Sequence, residues 1–198
     1  MTLRSIFLSL TLASVAFAAP TPQAKASFDR GEKALASDQL AEAEAAYKEA
    51  IQASPGYAEA INGLGSVYFK QGKRTDAINQ FRGAIQADPK FALAYFNLGY
   101  AARKAGDFGT AAQAYETYTQ LKPDDADGFY GLGESYRHLN DQQKAIAAYE
   151  EYVQREKRPS EQKWVERSKQ TITELKAQLD AARAQPAPSP AQPASAPA

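Results

Sequence analysis

The chain has 198 residues and balances 23 basic side chains against 23 acidic ones, so it lacks the basic surplus of a nucleic-acid or anionic-membrane binder. It contains no cysteine, which excludes disulfides, thiolate metal sites and cysteine nucleophiles. Its single histidine, His138, excludes a histidine-rich metal centre within one chain.

The first segment, MTLRSIFLSLTLASVAFAAP, sets one positive charge, Arg4, ahead of an uncharged apolar run from Ile6 to Ala19. Ala16 and Ala18 form an A-x-A cleavage pattern, which predicts a secretory signal peptide over residues 1–18, cut between Ala18 and Ala19. The run falls short of the roughly 20 residues of a membrane-spanning helix. The mature chain is therefore expected to be exported, to the periplasm, with no membrane insertion, and residues 19–23 read as a linker.

From there on, frequent alanine and sparse β-branched residues favour helices, and a fixed interval organises them. Gly31, Gly65, Gly99 and Gly133 stand 34 residues apart. Ala43, Ala77, Ala111 and Ala145 keep the same interval, as do the aromatics Tyr47, Phe81, Tyr115 and Tyr149. Pro55, Pro89 and Pro123 follow it too, whereas the fourth copy has Lys157 there and Pro159 two residues on. Such a period predicts a stacked array of supersecondary units.

Within a unit, Ile61, Leu64, Gly65 and Tyr68 recur at helical steps, a break follows at Gln71-Gly72, and a second helix carries Ala77, Ile78, Phe81 and Ile85. Gly72 and Gly106 suit the left-handed turn that ends a helix, and Asn140 does so at modest cost. Each proline stops a second helix, because it disfavours helix in the residue before it. The phased glycines and alanines mark close approach of two helices, with each aromatic filling the space beside them. Gly63 lies outside the phased set and reads as a permissive site.

The same pattern accounts for NGLGSVYFKQGKRT, residues 62–75, which at first resembles a phosphate loop. Val67 stands where a P-loop needs its first glycine, and Arg74 where it needs Ser or Thr. Beyond Pro159, the run SEQKWVERSKQTITELKAQLDAAR places Trp164, Ser168, Ile172, Leu175 and Leu179 on one face of a closing helix over 160–183, with Ser160 as its N-cap. Residues 184–198 alternate proline with small residues and are expected to form an extended, disordered tail.

These residues resemble the tetratricopeptide repeat family. The second copy matches its pattern with Ile61, Leu64-Gly65, Tyr68, Ala77, Phe81 and Pro89; the third with Tyr95, Leu98-Gly99, Ala111, Tyr115 and Pro123; the fourth with Phe129, Leu132-Gly133, Tyr136, Ala145 and Tyr149. The first copy keeps Gly31, Ala43, Tyr47 and Pro55 but has Ser27, Arg30 and Ala34 at apolar positions, as suits a terminal repeat. The resemblance implies an all-α, right-handed helical-repeat solenoid of four TPR helix pairs plus a C-terminal capping helix. Its repeats are expected at 24–57, 58–91, 92–125 and 126–159.

The family resemblance also implies that the first helix of each repeat lines a concave groove holding an extended peptide or a partner's helix. The residues carried onto that surface are Phe28 and Glu32; Asn62, Ser66 and Phe69; Phe96, Asn97, Tyr100 and Arg103; Tyr130, Glu134 and Arg137. Among them Asn62, Phe69, Phe96, Asn97, Tyr100, Arg103, Tyr130 and Arg137 are the candidate peptide-binding residues. The aromatics would hold apolar anchors, the asparagines the ligand backbone, and the arginines acidic groups. Phe28, Phe96 and Tyr130 occupy the places where chaperone-binding relatives clamp a terminal carboxylate, so an aromatic groove is expected instead.

Other motifs reduce to helix ends and faces. PDDADGFYGLGE, residues 123–134, imitates a calcium loop, but Pro123 has no side-chain oxygen for the first ligand position. His138 has no nucleophile-elbow serine to serve. The expectation is a non-enzymatic adaptor with no cofactor or metal, binding another protein or peptide. The second reading is a structural subunit of a cell-envelope complex that docks through its convex face or C-terminal helix, with an exposed apolar patch outside the groove.

Overall fold

The computed structural model describes residues 19–184; the predicted signal peptide and all of the predicted tail but Ala184, which is helical, lie outside them. Helices come in pairs: α1 (Pro22–Ala36) with α2 (Leu40–Ala53), α3 (Ala58–Lys70) with α4 (Arg74–Ala87), α5 (Ala92–Ala105) with α6 (Phe108–Leu121), and α7 (Ala126–His138) with α8 (Gln142–Arg155). A 3-10 turn, Pro159–Glu161, leads into α9 (Gln162–Ala184). Each helix packs on the next, so the described residues form an all-α solenoid without strands. None of these helices is long and apolar enough to cross a membrane.

The turns inside the pairs are one device used four times. Asp38, Gly72, Gly106 and Asn140 adopt positive φ, from 57° to 84°, at 34-residue intervals. The residue after each donates its N–H back to the helix: Gln39 to Ala34 O, Lys73 to Tyr68 O, Asp107 to Ala102 O and Asp141 to Tyr136 O, at 2.8–3.0 Å. These bonds satisfy carbonyls that a helix end leaves without partners. The aspartates then cap the following helix, Asp107 accepting from Thr110 N at 3.0 Å and Asp141 from Lys144 N at 3.1 Å.

The phased aromatics form the centre of each unit. Tyr47, Phe81, Tyr115 and Tyr149 are at most 2 % exposed, and burying each ring stabilises by on the order of 2 kcal/mol. Each lies against the glycine of its own first helix: a β-carbon at Gly31 would stand 2.7 Å from Tyr47 Cε1, and one at Gly133 2.8 Å from Tyr149 Cδ1. The following repeat closes the other side of the ring. A β-carbon at Gly63 would lie 2.5 Å from Tyr47 Cε1, and one at Gly131 2.6 Å from Tyr115 Cε1. Gly63 is therefore a close-approach position between repeats, and its reading as a permissive site is corrected.

The closing helix begins later than expected, at Gln162, because the 3-10 turn takes up Ser160, whose hydroxyl donates to Glu161 at 3.1 Å. Val165, Ser168 and Leu175 are its buried residues, and Trp164 is 38 % exposed. Its remaining faces carry Glu, Lys, Arg and Gln, which suits the end of a stack that has no further neighbour.

Candidate functional site

The first helices of the pairs lie side by side, α1 touching α3, α3 touching α5, and α5 touching α7. This wall presents the residues from which a groove would be built, and it divides into a fixed part and an open part.

The fixed part comprises Asn62, Phe69, Phe96 and Asn97. Asn62 is 6 % exposed, and its side-chain oxygen accepts from Asn97 Nδ2 at 3.0 Å, tying α3 to α5. Phe96 packs edge-on to Tyr115 at 5.8 Å between ring centroids and against Tyr118 at 5.1 Å. Phe69 is partly buried, with its ring 5.3 Å from that of Tyr100.

The open part lies further along the chain. Tyr100 is 37 % exposed, and two cations approach its ring, Arg103 at 5.7 Å and Lys104 at 5.6 Å. Such a ring face attracts cations by its quadrupole. Arg103 is half-buried, its Nε has no hydrogen-bond partner, and it forms no ion pair among the described residues. Burial pushes the phenol of Tyr115 up to about 12, while the Arg103 guanidinium pulls the other way.

Tyr130 is half-buried against Tyr149, Tyr152 and Trp164, with ring centroids 6.1, 5.2 and 5.7 Å away. Arg137 pairs with Glu134 at 3.2 Å. Glu134 also accepts from the Tyr149 hydroxyl. Burial would raise the Glu134 carboxyl, but the Tyr149 hydroxyl and the Arg137 guanidinium outweigh it and hold the group below its ordinary value.

Two members of this surface were missing from the sequence reading. Trp164 and Arg167 belong to the closing helix, yet Trp164 meets Tyr130 and Arg167 lines a cleft with Glu134 and Arg137. The signal was present in the period: Phe96, Tyr130 and Trp164 are 34 residues apart. Trp164 thus continues the row of first-helix aromatics, and Val165 takes the buried place expected for it.

The motifs set aside earlier serve the helix ends. Asp125 caps α7 by accepting from Asp127 N at 3.0 Å and also accepts from the Tyr118 hydroxyl, while Asp127 pairs with Arg158 at 2.5 Å. The ring of His138 stacks on Phe108, 4.1 Å apart and nearly parallel. The described residues contain no group of three or more His, Cys, Asp or Glu placed to hold a metal ion.

The tetratricopeptide repeat family model matches residues 62–126 and 101–161, which together span half of the chain. Among solved structures, a MamA protein is similar at 29% identity and a TM-score of 0.68, covering 81% of this chain and 86% of that one. YrrB, described as a TPR protein with an unusual peptide-binding site, is similar at 16% identity and a TM-score of 0.68, covering 82% of this chain and 86% of its own. The first TPR of Spaghetti (RPAP3), bound to the HSP90 peptide SRMEEVD, is similar at 20% identity and a TM-score of 0.59, covering 62% of this chain and 99% of that one. No protein of curated function matches the chain's sequence.

Proposed function

Because the chain belongs to the tetratricopeptide repeat family, we propose that it is an exported, non-enzymatic adaptor that holds a segment of another protein against its first helices. The observation that carries this reading is the pairing of Tyr100, an aromatic left exposed on that wall, with Arg103, a half-buried guanidinium that forms no ion pair among the described residues. An aromatic face beside unpaired donors takes an apolar or aromatic anchor next to an acidic group. Tyr130, Trp164 and Arg137 extend the surface toward the closing helix. Peptide complexes of the family, such as the RPAP3 repeat with its HSP90 peptide, support the mode of use. Affinity for an extended segment should be on the order of micromolar, since the segment loses conformational freedom on binding. Export rests on the sequence of residues 1–18, and a mature chain beginning at Ala19 by mass spectrometry checks it.

A second reading, docking through the second helices, is favoured by one observation. A cleft of about 350 Å³ lined by Arg82, Tyr95, Leu98, Thr110 and Ala114 recurs one repeat later, at about 250 Å³, lined by Glu116, Phe129, Leu132, Lys144 and Ala148. The two readings separate in a paired pull-down from an envelope extract. One bait is the chain and the other carries Tyr100→Ala and Arg103→Ala, both with the same helical circular dichroism. A partner lost by the second bait supports binding at the first helices, and equal capture overturns it in favour of the clefts.

A further inference from the structure

The wall of first helices is interrupted once. α9 follows α7 in the position of a fifth first helix, yet the two do not touch closely as the earlier neighbours do. A trench runs between them. Its two stretches, of about 240 and about 200 Å³, share Arg137, Thr171 and Glu174 and lead from Arg167 to Gln178. At one end stand Trp164 and Tyr130. The other end points toward Ala184, where α9 finishes.

We propose that residues 185–198 of the same chain turn back and occupy this trench, with prolines against Trp164 and Tyr130. The proposal deepens the reading of the first helices as a peptide-binding wall and rests on it, with the chain's own tail as the resident segment.

Three observations favour that occupant. The first is chemical. Five of these 14 residues are proline and none has a charged side chain, so 13 peptide carbonyls accompany only nine N–H groups, and the segment is chiefly an acceptor. The trench has the opposite character. Its carboxylates are engaged, Glu134 with Tyr149 and Arg137 and Glu174 with Gln170 at 3.0 Å. Arg167, stacked 5.6 Å from the Trp164 ring, forms no ion pair among the described residues and, with Arg137, supplies donors. Proline-rich segments also bind aromatic-lined grooves because their extended helix is formed in advance.

The second observation is reach. Gln178 marks the near end of the trench, where it accepts from Gln142 at 2.7 Å. A helix rises about 1.5 Å per residue, which puts Ala184 about 9 Å beyond Gln178 and Trp164 about 21 Å on its other side. The tail must cover about 30 Å to reach Trp164, and 14 residues of polyproline II extend about 43 Å. The third is the reversal point: Pro186 disfavours helix at Gln185, so the chain can turn immediately after α9. Tethering supplies the rest, since a short linker holds a segment at an effective concentration on the order of millimolar, and a site of millimolar affinity is then about half filled.

Trp164 is the chain's single tryptophan and reports on its own environment. The test is acrylamide quenching of its fluorescence in the chain and in a variant carrying Pro186→Gly, Pro188→Gly, Pro190→Gly and Pro193→Gly, changes outside every described helix. The variant should be quenched about twofold more strongly, as expected for loss of a tethered, half-filled site. A synthetic peptide of residues 185–198 should restore the protection, and the protection in the unchanged chain should not vary with protein concentration. Equal quenching in chain and variant overturns the proposal. So does protection that grows with concentration, which assigns the trench to a second copy's tail. Failure here leaves the loss of partner by the Tyr100→Ala, Arg103→Ala bait unaltered, so the two readings fail separately.

Discussion

The junction around Phe81 and the junction around Tyr115 use the same frame with opposite consequences for the surface. Each ring is buried against the glycine of its own first helix, Gly65 or Gly99. On the side of the following repeat the corresponding residues are Asn97 and Gly131. At the first junction Asn97 is tied to Asn62 at 3.0 Å, so the polar groups of the wall hold each other. At the second, a β-carbon at residue 131 would lie 2.7 Å from Tyr115 Cε2, and no side chain is present to engage its neighbours. There Tyr100 stays 37 % exposed, and Arg103 forms no ion pair among the described residues. What the aromatic demands of the next helix thus decides which part of the wall is structure and which part is open to a ligand.

The largest expected effect comes from importing one junction's residue into the other. Gly131→Asn should destabilise the chain by about 3 kcal/mol, because the ring it meets is fully buried and cannot move aside. Urea unfolding gives the number, and a cost below about 1 kcal/mol would mean that the junctions are interchangeable. Combining it with Tyr115→Phe sharpens the point. The clash is with ring carbons that phenylalanine keeps, Tyr115 Cζ first, so the double-mutant cycle should return little coupling, below about 0.5 kcal/mol.

Hydroxyl removal is the next largest. Tyr149→Phe takes a donor from the largely buried carboxylate of Glu134 and should cost about 2 kcal/mol, the range of hydrogen bonds to charged groups. Tyr115→Phe should cost less than about 1 kcal/mol, since its hydroxyl has no carboxylate partner in the structure. Similar losses at the two positions would remove the distinction between a tyrosine anchored by an acid and one that is not.

Glu134 also gives the comparison a pH dependence. A carboxyl held below its unfolded pKa, about 4.3 for glutamate, stabilises fully above that value. The contribution disappears as the pH falls through the folded pKa. Between about pH 6 and pH 3 the urea midpoint should therefore fall, and Glu134→Gln should remove part of the fall. A variant with an unchanged pH profile would show that the Tyr149 and Arg137 contacts do not favour the charged form.

The repeat frame was legible because it is set by residues with one steric purpose. Gly31, Gly65, Gly99 and Gly133 and the aromatics opposite them share one 34-residue period. The turns followed for the same reason, except that Asp38 takes the left-handed position held by glycine in the next two copies. The site was less legible. The pattern places Asn62, Asn97 and Arg103 alike on first helices, and nothing in their spacing says that the first two bond each other while the third has no partner. That depends on which rotamers the neighbouring ring permits. Trp164 was misplaced because the closing helix was read by its apolar stripe alone, and one residue of rotation exchanges it with Val165.

The smallest expected effect on stability is also the one that separates binding from folding. Arg103→Gln removes a guanidinium that forms no ion pair among the described residues, so stability should change by no more than about 0.5 kcal/mol. Arg137→Gln removes the partner of a largely buried carboxylate and should cost more, about 1–2 kcal/mol. If both arginines face a ligand, both variants should weaken capture of an acidic segment, and added salt should weaken it in the unchanged chain. The ratio of lost affinity to lost stability is then the useful quantity. A residue already fixed within the fold loses stability with affinity, whereas one waiting for a partner loses affinity alone. Arg103 is expected in the second group, and a fall in its unfolding midpoint comparable to that of Arg137→Gln would place it in the first.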